Sequence, residues 1–345
     1  MKQRSAPSIS RYFSTTDIHQ LRQMTQAARL HHILGERQIE IADKMGISQA
    51  GVSRLLRMAE EHGIIRKVVV PPEGLYPDLE DALCSTYNLN SAFVVDVGSE
   101  EDQIPQILGA AAARCLEPEL NIASAIGFTS WSTTLREMAR MMEPQNSNGK
   151  KYVIETLGDL GSPMLQHEAD VATVLMAEAL QAEPIFLRAP GVALTAARRD
   201  AALSDPHVRS ALTKLDNLDI VLVGIGPAAF HGPLEENDNF FSAEQLANVR
   251  QLGAVGQLHQ RFIDKNGSPI ITSLDDLVIG ITLDQLLKAK RRIAVAGGKI
   301  KHEAILAALA GYWINTIVTD VDSANYLLTK ASKQPKSESG KHDVI

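Results

Sequence analysis

Residues 38–67 read QIEIADKMGISQAGVSRLLRMAEEHGIIRK. Apolar residues at helical spacing predict a short helix that ends at Gly46, since glycine takes the left-handed conformation without steric cost. Ser48 then occupies the N-cap position of a second helix, where its hydroxyl can accept from the amides of the next turn. Gly63 ends this helix, and IIRKVVV (64–70) predicts a strand. This order of features is typical of a helix-turn-helix unit followed by a wing.

The second helix has two chemically different faces. Its apolar face is formed by Val52, Leu55, Leu56 and Ala59. Polar and basic side chains follow the opposite face, and with the cap they form the predicted DNA-contacting set: Ser48, Gln49, Ser53, Arg54 and Arg57. Such residue types reach base edges and phosphates when a helix enters the major groove. The alternative is an ordinary helical hairpin with solvated arginines, and the order of cap, turn glycine and basic face favours DNA binding.

Charge is divided unevenly along the chain. Residues 1–70 contain 11 Lys and Arg against 6 Asp and Glu, whereas residues 71–345 contain 23 against 35. The net charge of −7 therefore combines a basic head of +5 with an acidic body of −12. A small DNA-binding module attached to a larger domain of another purpose fits this division.

The 345 residues predict about two domains. Cys84 and Cys115 have no metal-ligand spacing and indicate a reducing compartment. The sequence has no signal peptide and no run of about 20 apolar residues, so we expect a cytoplasmic protein without a membrane segment. The composition predicts five segments: a mobile arm (1–16), a winged helix-turn-helix domain (17–70), a linker with a connector helix (71–90), an α/β effector domain (91–330) and a disordered tail (331–345).

The body alternates apolar runs with helical patterns. Strands are predicted at 92–97, 122–127, 151–158, 220–226, 292–298 and 315–320, and helices between them at 105–116, 133–142 and 167–180. The runs are almost continuously apolar, as in a parallel sheet covered on both faces. An α/β, Rossmann-like layered domain follows from this pattern.

Ligands of such sheets bind at the carboxyl ends of the strands, and glycine or hydroxyl side chains follow several strands here. AIGFTSWSTTL (125–135) offers hydroxyls at a helix N-terminus, which suits a phosphate, although a plain capped turn is the alternative. AGGKIKHEAI (296–305) offers a close backbone approach and a lysine, and LGDLGS (157–162) offers a tight loop. The predicted effector residues in these stretches are Gly127, Thr129, Ser130, Trp131, Ser132, Thr134, Gly158, Gly297, Gly298 and Lys301.

Several other kinds of site are not supported by the sequence. VGIGPAA (223–229) imitates a dinucleotide fingerprint, but the HGPLEEND that follows breaks the helix which would bind the phosphates, so no nicotinamide cofactor is expected. The histidines match no metal-ligand spacing, and no GxSxG elbow occurs. We therefore expect no catalytic residues, no metal and no cofactor.

The chain resembles the SorC family of bacterial sugar-responsive transcriptional regulators, also described as DeoR-type regulators. The resemblance runs from about residue 27 to residue 328. It is carried in the head by AARLHHI, QIEIADKMGISQAGVSRLL and EEHGIIR. In the body it is carried by IGFTSWSTTL, LRAPGVAL, DPHVRSAL, DIVLVGIG, GAVGQLHQRFIDKNG and IAVAGGKIKHEAILAALAGYWINTIVTDVDSA.

This resemblance implies a winged helix-turn-helix head and an effector domain similar to sugar-phosphate isomerases. It also implies a tetramer, or a dimer, whose operator binding is modulated by a phosphorylated sugar or polyol. Ser130, Trp131, Ser132 and Thr134 match the loop that binds the ligand's phosphate, and Lys301 matches a lysine that contacts the ligand. Gln257 occupies a position where family members usually carry an acidic residue, so the effector or its hydroxyl contacts can differ.

Two hypotheses follow from these features. The first is a transcriptional regulator of a carbohydrate or polyol operon, which binds double-stranded operator DNA and a phosphorylated effector. The second is a sugar-phosphate isomerase or deaminase with a helical appendage. The sequence offers no acid and base pair at the strand ends, and this favours the regulator. It does not specify the effector, or whether that effector releases or strengthens DNA binding.

Overall fold

The structure is a computed structural model that describes residues 18–66, 71–144, 149–159, 161, 163–229 and 240–333. The chain forms two compact units that divide after Val70. The predicted arm (1–16) and most of the predicted tail lie outside the described residues. Residues 331–333 of that tail belong to the last helix of the body.

The described part of the first unit consists of three helices: α1 (Ile18–His32), α2 (Gln38–Met45) and α3 (Gln49–Glu61). They share one small core, to which each helix contributes fully buried apolar side chains, among them Met24, Ile41 and Val52. Periodic apolar residues on each helix produce this packing, because three short helices are stable only when their apolar faces cover one another.

The turn between α2 and α3 forms as the sequence predicts. Gly46 ends α2 in the left-handed conformation, with φ of 66° and ψ of 33°. Ser48 caps α3, and its Oγ accepts from the Gly51 amide at 3.1 Å. Local chemistry alone specifies both features, because each satisfies backbone groups that a helix end leaves without partners.

The prediction of a strand after α3 is wrong for residues 64–66, which have no strand conformation. Gly63 turns the chain with φ of 70°. Ile64 and Ile65 then donate their amides to the Ala59 carbonyl at 2.8 and 3.0 Å, and their side chains pack against the core of this unit. The remainder of the predicted wing strand, 67–70, lies outside the described residues.

The second unit is an α/β domain. Its described residues form ten strands: β1 (Ser91–Val95), β2 (Ala125–Phe128), β3 (Tyr152–Glu155), β4 (Glu183–Ile185), β5 (Ile220–Val223), β6 (Ile225–Pro227), β7 (Ala254–Leu258), β8 (Arg261–Asp264), β9 (Arg291–Val295) and β10 (Thr316–Asp320). Its described helices are α4 (Pro77–Tyr87), α5 (Ile104–Cys115), α6 (Glu117–Ile122), α7 (Thr133–Met141), α8 (Pro163–Ala179), α9 (Ala196–Ser204), α10 (Pro206–Lys214), α11 (Ala243–Gln251), α12 (Leu283–Lys288), α13 (His302–Ala310) and α14 (Val321–Lys333).

Seven strands form one sheet in the order β1-β10-β9-β5-β2-β3-β4, and every neighbouring pair is parallel. The predicted parallel sheet is therefore confirmed. Along β5, Ile220 and Leu222 enter one apolar core, whereas Val221 and Val223 enter the other. Cores on both faces explain why the strands are almost continuously apolar.

Several boundaries differ from the sequence-based expectation; the strand predicted at 292–298, for example, ends at Val295. The strand predicted at 122–127 begins only at Ala125, and Ile122 still belongs to α6. The strand predicted at 151–158 ends at Glu155. The apolar run 220–226 divides at Gly224, and its second half becomes β6 of a separate sheet. The predicted helix 167–180 starts earlier, at Pro163.

The small second sheet has the order β6-β7-β8 and is antiparallel. This sheet was not predicted from the sequence. Its β7 and β8 are joined by only two residues, His259 and Gln260. The segment assigned to a connector, 71–90, carries α4, whose Leu83 is fully buried in a core of the body.

Candidate functional site

The solvent-facing side of α3 carries the residues predicted to contact DNA. Ser48, Gln49, Ser53, Arg54 and Arg57 are all exposed, opposite the buried Val52, Leu56 and Ala59. The guanidinium of Arg54 has no hydrogen-bond or ion-pair partner among the described residues. Arg57 lies 3.7 Å from Glu61, and both side chains are exposed, so this ion pair holds it only weakly. The helix therefore presents basic and amide groups to solvent, and these groups make few interactions within the described part of the chain.

At the carboxyl edge of the large sheet, Thr129 connects the ends of three strands through hydrogen bonds. It directly follows β2, is fully buried, and donates its hydroxyl to the Leu222 carbonyl at 2.7 Å. Its Oγ1 also lies 3.1 Å from the Thr156 hydroxyl, at the end of β3. Thr129 thus fixes the position from which the next loop starts.

The loop that follows, Ser130 to Ser132, leads directly into α7. Arg136, one turn into the helix, donates to the Trp131 carbonyl at 2.8 Å and pairs with Glu168 at 3.1 Å. Ser132 is the N-cap residue of α7, but its side chain makes no capping hydrogen bond. The first amides of the helix have no intrahelical acceptor, so this end of α7 is suited to an anion.

Glu155 ends β3 beneath this loop and is almost completely buried. It accepts from Ser130 Oγ at 3.3 Å, from Thr173 Oγ1 at 3.0 Å and from the Leu187 amide at 3.0 Å. Burial raises the pKa of Glu155 to about 7, although the hydrogen bonds from Leu187 and Thr173 and the charge of Arg188 partly oppose this. The carboxyl group of Glu155 therefore contacts the predicted phosphate loop directly, and the pH decides whether it is neutral or ionised.

The turn after β9 brings a lysine to the same edge of the sheet. A Cβ on Gly297 would lie 2.0 Å from Asp320 Oδ2, so only glycine fits there. Gly298 has φ of 86° and donates its amide to Asp320 and Ser323. A short 3-10 helix follows, and Lys301 immediately precedes α13. Burial lowers the pKa of Lys301, whose ammonium has no partner among the described residues.

Gln257 lies on β7, opposite Gly226 of β6, and is buried. Its Oε1 accepts from the Gln260 amide at 3.0 Å. Because this oxygen is already engaged within the hairpin, the amide nitrogen is the group of Gln257 left to meet a ligand. A carboxylate at this position could accept from a ligand with its second oxygen, whereas the amide nitrogen can only donate.

Two of the predicted glycines have clear packing roles. Gly127 lies within β2 rather than at its end, and a Cβ there would meet Leu218 at 2.9 Å. A Cβ on Gly158 would lie 2.2 Å from the Ala189 carbonyl oxygen, so this position permits close contact between two loops. Thr134 is buried in the first turn of α7. None of these observations requires the residues to touch a ligand.

Four polar residues of this edge were not among the predicted site residues: Arg136, Glu155, His259 and Gln260. The spacing of Arg136, four residues after Ser132, is a local signal that could have revealed its contact with the loop. His259 and Gln260 could have been found by reading residues 254–264 as a hairpin. The described residues contain no group of three or more metal-ligating side chains. The described helices include none long and apolar enough to cross a membrane.

The dinucleotide fingerprint at 223–229 is not followed by a helix at residues 228–229, since Pro227 ends β6. The next ten residues lie outside those that the structure describes. The motif therefore follows a strand, as a dinucleotide fingerprint does. Residues 228–229, however, do not begin the helix that would bind the phosphates.

The model of the family described as "Putative sugar-binding domain" matches residues 75–329. The chain belongs to this family. The sorbitol operon regulator of Klebsiella pneumoniae is 27% identical over 312 residues, which are 89% of this chain and 98% of that protein. The deoxyribonucleoside regulator of Bacillus subtilis is 28% identical over 304 residues, 88% of this chain and 96% of that regulator.

The crystal structure of the full-length sorbitol operon regulator SorC from Klebsiella pneumoniae has a TM-score of 0.69 to this chain, with 26% identity. The match covers 90% of this chain and 99% of that chain. The resemblance to SorC and DeoR-type regulators that the sequence indicates is thereby confirmed. These relatives are regulators by name, and the match to the sugar-binding family lies within the second unit.

Proposed function

We propose that this protein is a transcriptional regulator whose head is a winged helix-turn-helix and whose body binds a phosphorylated sugar or polyol. The observation that carries the proposal is α3, which is capped by Ser48, buried on one face and basic and amide-rich on the other. Its regulator relatives, matched over nearly their whole length, support the same function.

In the head, α3 is the recognition helix. Gln49 and Arg54 contact base edges, because amide and guanidinium groups form the paired hydrogen bonds that distinguish adenine and guanine in the major groove. Arg57, Ser53 and the N-cap Ser48 contact phosphates, which fix the orientation of the helix. The net charge of +5 on residues 1–70 supplies the part of the affinity that depends on salt.

In the body, the Ser130–Ser132 loop and the start of α7 bind the phosphate group. Hydroxyls of Ser130, Ser132 and Thr134 and the first amides of the helix provide donors, and the helix N-terminus favours negative charge. Lys301 adds a positive charge from the loop after β9. An ammonium that is half-buried without a partner gains most from an anionic ligand, because the ligand replaces the lost hydration.

Coupling between DNA binding and effector binding requires the effector to bind the DNA-competent and DNA-incompetent forms of the protein with different affinities. We propose a homo-tetramer or dimer as the working form, since paired recognition helices read half-sites about one helical turn apart. A change in the spacing between two heads then changes operator affinity without altering either head.

The test begins with a thermal-shift screen of the full chain against phosphorylated and free sugars and polyols. A ligand at about 100 times its dissociation constant adds roughly 2.7 kcal/mol of stability, which the screen detects. The active compound is then added to complexes with DNA selected from a random pool by the protein. A change in DNA affinity supports the proposal. Stabilisation only by unphosphorylated sugars contradicts the phosphate assignment, and turnover of a sugar phosphate favours an enzyme.

A further inference from the structure

The turn that joins β7 and β8 is unusual in both conformation and chemistry. His259 and Gln260 have φ of 49° and 65°. Two consecutive residues therefore have the left-handed backbone conformation that glycine and asparagine normally adopt in such turns. Each residue is only 1% exposed. Strained backbone that carries buried polar side chains is most often found where those side chains have a role in binding.

The contacts of Thr129 favour one tautomer of His259. The hydroxyl of Thr129 has one hydrogen and donates it to the Leu222 carbonyl at 2.7 Å. Thr129 Oγ1 also lies 3.4 Å from His259 Nδ1, and in this contact it can only accept, so Nδ1 carries the proton. Nε2 therefore has a free lone pair. Burial lowers the pKa of His259 to about 3, which keeps the ring neutral at physiological pH.

Four polar atoms on this turn and on the loop that follows Thr129 are buried without a hydrogen-bond partner among the described residues. They are the Nε2 of His259, both side-chain amide atoms of Gln260, and the indole Nε1 of Trp131. Trp131 belongs to the loop that follows Thr129, and its ring packs against an apolar cluster that includes Phe262 of β8. Buried polar atoms are rarely left unpaired, so these four atoms indicate a polar occupant.

We propose that the His259–Gln260 turn, together with Trp131, is a subsite that recognises the hydroxyl groups of the effector. The proposal rests on the proposed function, which places the effector at this edge of the sheet. The four atoms comprise two acceptors and two donors. A pair of hydroxyls matches them, because each hydroxyl can donate to one acceptor and accept from one donor.

The subsite selects for an intact polyol. A compound that lacks one of the recognised hydroxyls leaves a buried donor or acceptor unpaired, and sites of this kind discriminate strongly against such analogues. Inorganic phosphate makes no contact with the turn and reports only on the phosphate loop. Gln257 fixes the turn through its bond to the Gln260 amide, which is a positioning role.

The experiment measures binding of sugar and polyol phosphates, their monodeoxy analogues and inorganic phosphate to the full chain by calorimetry. His259→Phe keeps a buried ring but removes the acceptor, and Gln260→Met keeps the length of the side chain but removes the amide. We expect each variant to bind the best hydroxylated compound at least 10-fold more weakly. Binding of one particular deoxy analogue and of inorganic phosphate should be unchanged.

Gln251→Met, at an exposed position on α11, is the matched control. Melting temperatures without ligand show whether the variants fold. Equal affinity of His259→Phe, Gln260→Met and the parent protein for every hydroxylated compound would overturn the inference while leaving the proposed function intact. Equal weakening of hydroxylated, deoxy and inorganic phosphate binding would also overturn it. Failure of every phosphate compound to bind the parent protein overturns the proposed function itself.

Discussion

Ser130 Oγ lies 3.3 Å from Glu155 Oε1, which places an acidic group directly beneath the loop that we assign to the phosphate. Ser130 lies in the loop after β2 and Glu155 ends the neighbouring parallel strand β3, and they meet because both strands end at the same edge. An ionised Glu155 competes with a phosphate for the Ser130 hydroxyl and repels its charge. A neutral Glu155 has no charge to repel a phosphate, although its carbonyl oxygen can still accept from Ser130, so the protonation of this carboxyl links the proposed site to pH.

Glu155→Gln should remove a pH dependence of stability. The pKa of Glu155 is raised from 4.5 to about 7, so the folded state binds more protons than the unfolded state between these values. Stability therefore falls as pH rises through this window, by roughly 3 kcal/mol in total. Thr173 can adapt to the amide, because its hydroxyl also lies 3.0 Å from the Ala169 carbonyl. Denaturant unfolding of parent and variant from pH 5 to pH 8 measures the difference, and parallel curves would contradict it.

Arg54→Ala should weaken operator binding by roughly 5- to 150-fold, since a lost base contact costs about 1–3 kcal/mol. Fluorescence anisotropy with labelled operator DNA measures the affinity over a range of salt concentrations. Arg198→Ala, an exposed arginine of the body, is the control. Unchanged fold and effector binding are expected in both variants. A normal DNA affinity in the Arg54 variant would remove α3 as the recognition helix.

Ser48→Ala should destabilise the head by about 1 kcal/mol, because the Gly51 amide loses its acceptor. Ser48→Asp restores an acceptor at the same position and should recover most of the loss. Urea unfolding followed by circular dichroism of the head transition measures both changes. The capping role is refuted when the aspartate variant is as unstable as the alanine variant.

Lys301→Met should weaken binding of phosphorylated effectors and of inorganic phosphate by at least about 10-fold, as expected for a charged hydrogen bond worth about 1.5–3 kcal/mol. Stability without ligand should not fall, because the ammonium has no partner among the described residues and burial already lowers its pKa. Lys299→Met is the matched control, since Lys299 is exposed and pairs with Glu101 at 3.3 Å. Equal calorimetric affinities in the two variants would refute a ligand role for Lys301.

Features set by neighbouring residues could be predicted from the sequence. Gly46 and Ser48 follow from the chemistry of helix ends, and both occur as expected. The parallel sheet follows from apolar runs, because a strand covered on both faces has no polar side. The strand predicted at 64–66 failed for a local reason as well, since Gly63 directs the next amides back to Ala59.

The sequence by itself determined the helical head, six of the seven strands of the parallel sheet, and the polar character of the loops at the strand ends. Only the tertiary structure decided which polar groups share a buried space. Glu155 meets Ser130, Thr173 and Leu187 from segments 18 to 32 residues away, and His259 meets Thr129 across 130 residues. Burial and long-range contacts control protonation and hydrogen-bond capacity, and neither is encoded in the spacing of residues along the chain.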